Sequence, residues 1–160
     1  MASRLRLAVA VAAIGGLALV AASALATPSS GFRAERLGSV QIDTKVDHNA
    51  GGIQVKTTKP VEVFTQKVTF SPGGTSGWHH HPGVVYVSVI QGALAFYDDK
   101  CARQTFAAGS GWVDYDRKVH LARNEGPTDA VVQVTYVRPA PTPRLPNFVD
   151  EPAPAGCAVR

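Results

Sequence analysis

Residues 73–92 have the sequence GGTSGWHHHPGVVYVSVIQG, which joins three consecutive histidines to an apolar run. Side chains alternate between the two faces of a β-strand, so His79 and His81 are expected on one face and His80, with Trp78, on the other. Neutral imidazole is a good ligand for divalent transition metals, and two imidazoles on one face can hold the same ion. The stretch therefore predicts a strand with two inward candidate ligands.

A third histidine, His120, lies further along the chain within the predicted strand 119–123. In an all-β domain a neighbouring strand can carry it to His79 and His81. The alternative is that one of these three histidines is hydrogen-bonded in the core, that the other two lie on the surface, and that none is a metal ligand.

The chain around the histidines consists of short segments rich in β-branched and aromatic residues. The predicted strands span 61–70, 83–90, 93–97, 111–115, 119–123 and 130–138. Glycine, proline and aspartate separate them, and the turn residues at 71–74 are expected to end the first. No amphipathic helical period of useful length follows the N-terminal apolar run. This pattern predicts an all-β sandwich or barrel.

The histidine segment resembles the first cupin motif, and a later segment resembles the second. The matching residues are Gly73, His79, His81 and Gly92 in the first motif and Gly109, His120 and Asn124 in the second. The resemblance covers roughly residues 55–138 and implies a single jelly-roll β-barrel domain there. It also implies one divalent transition-metal ion (Fe, Mn, Zn or Ni) held by His79, His81 and His120.

Val85 stands where the first cupin motif has a glutamate, so the usual anionic ligand is missing. Asp114, Asp116 and Glu125 lie near His120 in sequence, but the motif register assigns none of them to the ligand position. An ion held by three neutral histidines keeps its full charge and attracts an anionic substrate. Three-histidine sites occur in cupin-type iron dioxygenases, whereas cupins without metal are also common.

Val85 and Val87 are expected to share the inward face of His79 and His81, so Val85, Val87 and Asn124 are predicted to line a small-molecule pocket. Ordinary barrel core is the alternative for each valine, and capping of a strand end is the alternative for Asn124. The functional hypothesis is a metal-binding cupin with dioxygenase or isomerase chemistry on a small molecule. The alternatives are a metal-free module that binds a small molecule or a partner, and a structural scaffold at the cell surface. By analogy with the cupin family, the protein is also expected to form a homodimer.

Residues 1–26 have the layout of a secretory signal peptide, in which Arg4 and Arg6 precede an apolar run and two Ala-x-Ala cleavage patterns. We expect cleavage after Ala26 and a secreted or periplasmic protein without stable membrane insertion. The alternative is an uncleaved membrane anchor, since the run is nearly long enough to span a bilayer. Cleavage lowers the formal charge from +4 to +2 by removing the two arginines. Such a mild charge, without a basic run, argues against nucleic-acid binding.

The chain contains two cysteines, Cys101 and Cys157. Export to an oxidising compartment predicts that they form one intramolecular disulfide. Free thiols and a link between two chains are the alternatives. Residues 27–54 are expected to form an N-terminal arm with one edge strand, and residues 139–160 a proline-rich tail that the disulfide ties back.

Overall fold

The computed structural model describes residues 26–115, 117–140 and 146–159, so residues 1–25 of the predicted signal peptide lie outside it. The described residues form twelve β-strands. They are β1 (Ser30–Ile42), β2 (Asp47–Ala50), β3 (Ile53–Lys56), β4 (Val61–Thr75), β5 (His79–His80), β6 (Val84–Gln91), β7 (Ala93–Tyr97), β8 (Arg103–Ala107), β9 (Gly111–Asp114), β10 (Leu121–Arg123), β11 (Ala130–Pro139) and β12 (Val149–Asp150). Within these ranges, no helix has the length and apolarity needed to cross a membrane.

Eight of the strands form one antiparallel sheet that curves into a nearly closed barrel, which confirms the predicted all-β jelly roll. The strand order is β8-β7-β10-β4-β11-β6-β9, and β1 pairs with β4. The long strand β4 therefore contacts three neighbours. Two short pairs lie outside this sheet, the β2–β3 hairpin and the β5–β12 pair.

Alternating burial along the strands defines the inner face of the barrel. In β6, Val85, Val87 and Val89 are buried, whereas Tyr86 and Ser88 between them are exposed. Alternation of this kind is what a strand with one face on the core requires. Each fully buried valine stabilises the fold by about 1.5–3 kcal/mol through removal of apolar surface from water.

The predicted turn at 71–74 does not end its strand, because β4 continues to Thr75. The pairing register with β1 shifts between Ser30 and Phe32, so the sheet accommodates the turn residues as an irregularity. Backbones approach closely here, since a Cβ on Gly74 would lie 2.3 Å from the Gly31 carbonyl oxygen. Only glycine fits at position 74, and the strand passes through a sequence that normally signals a break.

The C-terminal tail closes over the outer side of the histidine segment. Strand β12 pairs with β5, and the predicted disulfide joins Cys101 to Cys157. The Trp78 indole N–H donates to the Val159 carbonyl oxygen at 2.9 Å, and the Trp78 side chain is fully buried. A second, smaller core forms beneath the tail. Its buried members are Trp78, Ala95, Tyr97 and Leu121, with Ala153, Cys157 and Val159 packed against them.

A buried ion-pair cluster surrounds Glu62 on β4. The Glu62 Oε1 atom accepts hydrogen bonds from Arg36 at 2.7 Å and from Ser39 at 2.9 Å. Its Oε2 atom accepts two from the Arg138 guanidinium, at 2.8 and 3.0 Å. The hydrogen bonds from Arg138 are the main reason that the pKa of Glu62 falls from 4.5 to about 2. Both guanidinium groups lie over the ring of Phe64, at 4.6 and 4.7 Å from its centroid.

Candidate metal centre

The backbone brings His79 and His120 face to face. Each donates its backbone N–H to the carbonyl oxygen of the other at 2.9 Å, which forms an isolated antiparallel bridge. Residues directly opposite one another in an antiparallel pair project to the same side, and His81 follows on the same side two residues after His79. The three rings are within 4.3–5.2 Å of one another, centroid to centroid. We call His79, His81 and His120 the histidine cluster.

Each ring of the histidine cluster has its Nδ1 atom 2.9 Å from a backbone carbonyl oxygen. The pairs are His79 with Gly77, His81 with Asn147, and His120 with Lys118. A carbonyl oxygen only accepts hydrogen bonds, so Nδ1 carries the proton in each neutral ring and Nε2 presents a lone pair. Metal-binding histidines are oriented by this kind of outer hydrogen bond.

The Nε2 atoms of the cluster point inward and lie close together, and in these tautomers none of them carries a proton that could form a hydrogen bond to another. The Nε2 atoms of His79 and His81 are 3.2 Å apart. Burial lowers the pKa of His79 well below its ordinary value, and burial, with the nearby His120, lowers the pKa of His81 to about 3. The rings of His79 and His81 therefore stay unprotonated at neutral pH, and their Nε2 lone pairs repel one another. One ligand nitrogen from each of the three rings lies within 4.8 Å of the others, a donor set that fits a divalent transition metal.

A carboxylate also reaches the histidine cluster, which the motif register did not predict. The Oδ2 atom of Asp114 is 3.5 Å from His120 Nε2 and 3.9 Å from His81 Nε2. Asp114 is buried, and that burial raises the pKa of its carboxyl group. The sequence held a signal for this position, since alternation along the strand 111–115 puts Trp112 and Asp114 on one face. Asp116, considered with it, lies outside the described residues.

A cavity of about 120 Å³ opens beside the histidine cluster. Its lining is mostly apolar, and the polar exceptions are the histidines, Gln66, Ser76, Asp114 and Asn147. The apolar lining residues are Phe32, Ala34, Val68, Phe70, Val87, Leu94, Trp112, Ala122, Val132, Val134, Tyr136 and Phe148. Phe148, from the C-terminal tail, places its ring 5.2 Å from the His79 ring, centroid to centroid. The tail thus forms one wall of the cavity.

Of the three residues predicted to line this cavity, Val87 lines it and Val85 and Asn124 do not. Val85 packs into the hydrophobic core. Asn124 is almost completely buried, and its amide donates to the carbonyl oxygens of Phe70 and Thr128 at 2.9 and 2.8 Å. Its Oδ1 atom accepts the backbone N–H of Gly126. Because all its polar atoms bind either the turn after β10 or strand β4, Asn124 has a structural role, as the alternative interpretation proposed.

His80 points away from the cavity, as strand alternation predicts, but it does not face solvent. Its Nδ1 atom is 2.8 Å from Glu151 Oε1, and its Nε2 atom is 3.3 Å from the Arg117 guanidinium. His80 is thus on the predicted outer face of β5, and the C-terminal tail covers that face and buries it.

One comparison with known proteins, the match to a family model, agrees with this architecture. A model of the cupin domain family matches residues 66–136, a range that contains the whole histidine cluster. An oxalate oxidase in complex with the substrate analogue glycolate aligns at 27% identity and a TM-score of 0.43, over 46% of this chain and 41% of that chain. A cupin 2 conserved barrel domain protein from Leptotrichia buccalis aligns at 15% identity and a TM-score of 0.48, over 67% of this chain and 41% of that chain.

A third similar structure is the Cupin_2 domain of an XRE family transcriptional regulator from Enterobacter cloacae. It aligns at 15% identity and a TM-score of 0.48, over 70% of this chain and all of that domain. The alignment to the oxalate oxidase spans less than half of that enzyme's chain. No curated protein matches this chain at a significant level.

Proposed function

Because this chain belongs to the cupin superfamily, we propose that it is an exported cupin that binds one divalent transition-metal ion through His79, His81 and His120. The reaction class that we propose is oxygenation or isomerisation of a small molecule. One observation carries the proposal, the approach of two unprotonated Nε2 atoms to 3.2 Å in a buried site. A cation between them replaces lone-pair repulsion with coordination.

The bound ion would act as a Lewis acid toward an oxygen donor of the substrate. The chain's own residues do the rest. Carbonyl oxygens at positions 77, 118 and 147 hold the three rings in the tautomer that directs Nε2 inward. The mostly apolar walls lower the local dielectric constant, which strengthens the electrostatic contacts inside the cavity.

The cavity limits the size of the substrate. A cavity of about 150 Å³ holds a benzene-sized molecule, so the space of about 120 Å³ suits a ligand of only a few heavy atoms. Gln66, which carries a side-chain amide, also lines the cavity. That amide is available to a polar group of the substrate, while an anionic oxygen of the substrate would meet the metal.

Export is supported by the signal-peptide pattern at residues 1–26 and by the Cys101–Cys157 disulfide. Disulfides form and persist in oxidising compartments and are rare in the reducing cytosol. Mass determination of the protein recovered outside the cytoplasm tests this part. A mature chain that begins at Thr27 is the expected result, and a full-length chain in the membrane fraction would contradict it.

The metal proposal is tested by metal analysis of the purified protein before and after reconstitution with iron, manganese, zinc and nickel. We expect one ion per chain in the parent protein and none in the His79→Ala/His81→Ala variant. His48→Ala is the matched control, because His48 is exposed on the β2–β3 hairpin. A parent protein that remains metal-free with all four ions would overturn the proposal. Metal-loaded protein that turns over no small thiol, diketone or phenol would limit the function to binding.

A further inference from the structure

The first motif lacks its glutamate in this chain, and a carboxylate on a neighbouring strand lies opposite that position. Val85 occupies the glutamate position and is buried in the apolar core. In the antiparallel pair of β6 and β9, the residue directly opposite Val85 is Asp114. Opposite residues project to the same face of a sheet, so Asp114 delivers a carboxylate to the inner face that Val85 leaves without one.

The carboxylate is fixed and aimed at the histidine cluster. Trp112, two residues earlier on the same face, donates its indole N–H to Asp114 Oδ2 at 3.0 Å. That oxygen is 3.5 Å from His120 Nε2 and 3.9 Å from His81 Nε2. Asp114 lines the same cavity as the three histidines. No arginine or lysine contacts its carboxylate among the described residues, so those residues place no full positive charge against it.

Two of the separations between donor atoms match those around a single ion. Metal–nitrogen and metal–oxygen distances of about 2.0–2.2 Å place neighbouring donor atoms about 3.0–3.5 Å apart. The two closest histidine nitrogens are 3.2 Å apart, and the Asp114 oxygen is 3.5 Å from the nearest histidine nitrogen. The carboxylate therefore lies about as near to the cluster as the cluster's members lie to one another.

From this register we propose that Asp114 is the fourth protein ligand of the metal, a carboxylate moved from β6 to the facing position on β9. The inference rests on the proposed metal site at His79, His81 and His120. It changes the chemistry of that site, because one carboxylate lowers the net charge of a divalent centre from +2 to +1. A hard oxygen donor also makes the site more favourable for iron or manganese than three imidazoles alone.

The test compares Asp114→Asn with Asp129→Asn, a matched control whose side chain is exposed. Zinc affinity is measured by competition with a chelator, and coordination is followed by the visible absorption of the cobalt-loaded protein. Asp114→Asn is expected to weaken zinc binding by at least about tenfold and to change the cobalt spectrum, since even outer-shell changes cost that much. Asp129→Asn is expected to change neither.

The stability of the metal-free protein separates a ligand from a structural residue. Asp114→Asn removes a buried charge that has no arginine or lysine beside it in the described ranges, so the metal-free variant is expected to melt at the same temperature as the parent or higher. A purely structural aspartate gives the opposite result, a lower melting temperature. Adding Val85→Glu to Asp114→Asn returns a carboxylate from the facing strand, and it is expected to recover zinc affinity.

The outcomes for the metal site and for Asp114 are distinguishable. A parent protein without any metal overturns the proposed function and this inference together. A parent that binds metal, with Asp114→Asn unchanged in affinity and cobalt spectrum, overturns only the inference. If Asp114→Asn does not fold, a crystal structure of the metal-loaded parent decides. An Asp114 oxygen within about 2.2 Å of the ion is expected, and one more than about 3 Å away overturns the assignment.

Discussion

The ion-pair cluster around Glu62 and the histidine cluster are both buried, and they differ in whether the chain itself completes them. Both oxygens of Glu62 accept hydrogen bonds from protein donors, with two arginines supplying the opposite charge. In the histidine cluster every Nδ1–H has an acceptor, but the Nε2 atoms of His79 and His81 face one another. The first cluster is complete within the chain, whereas the second leaves the Nε2 atoms that the proposed cation would bind.

The difference shows which kind of buried polar group indicates function. Buried polar atoms are normally hydrogen-bonded, so burial by itself indicates only that the group is satisfied. Two acceptors held against each other by ordered outer hydrogen bonds are costly unless something else binds between them. Asn147 connects the two clusters, since its backbone carbonyl accepts from His81 and its side-chain oxygen accepts from Arg138.

The largest expected effect on the free energy of unfolding comes from removing the carboxylate of the ion-pair cluster. Glu62→Gln leaves Arg138, which is only 3% exposed, without its carboxylate. Breaking a buried ion pair from one side costs about 3 kcal/mol, so the free energy of unfolding should fall by about that amount in urea denaturation with the disulfide intact. Metal content should not change, because no histidine donor is touched.

The control for that variant is Asp47→Asn, which removes an exposed pair with Lys56 on the β2–β3 hairpin. Exposed ion pairs contribute less than about 1 kcal/mol. Equal losses in the two variants would show that burial does not distinguish these pairs.

Acid should destabilise the metal-free protein through the two clusters in different pH windows. The pKa values of His79 and His81 are lowered in the folded state, so the unfolded state binds more protons once the pH falls below about 6.5. Each such histidine then costs up to about 1.4 kcal/mol per pH unit. The pKa of Glu62 is lowered from 4.5 to about 2, so its stabilising contribution is complete above about pH 5 and is lost toward pH 2.

Unfolding free energies measured from pH 7.5 to 3 separate these contributions. His79→Asn/His81→Asn should flatten the curve between pH 6.5 and 5, and Glu62→Gln should flatten it only below pH 5. Flattening of the upper window by Glu62→Gln would contradict the assignment of the two windows.

The smallest expected effect comes from the residue that connects the clusters. Asn147→Ala removes the hydrogen bond from Arg138 but keeps the backbone carbonyl that orients His81. The loss of one hydrogen bond should lower the free energy of unfolding by about 1 kcal/mol and leave the zinc affinity unchanged. Reduced zinc affinity in this variant would mean that the two clusters are coupled through the Asn147 side chain.

The barrel and the identity of the three histidines could be predicted because both follow from local patterns. Alternation along 79–81 and 83–90 correctly separated inward from outward side chains, and the motif spacing paired the first two histidines with His120. Strand β8 was missed because Arg103–Ala107 is mostly exposed and lacks an apolar run. The pairing of β4 beyond position 71 was missed because close glycine packing between strands overrides a turn signal.

The surroundings of His80, Asn124 and Asp114 depended on contacts between distant segments. His80 lies on the outer side that alternation assigns to it, yet the C-terminal tail buries it. Asn124 has a motif position, but its hydrogen bonds go to the turn and to β4. No spacing within a single segment reports either result.

The sequence by itself determined which side chains share a face, because the period of a strand is two residues and depends only on the local backbone. It also determined that Val85 supplies no ligand. Only the tertiary structure decided that Asp114 lies opposite Val85 and approaches the histidine cluster. The physical reason is that the register between two strands is set by hydrogen bonds and side-chain packing across the sheet, which no single segment encodes.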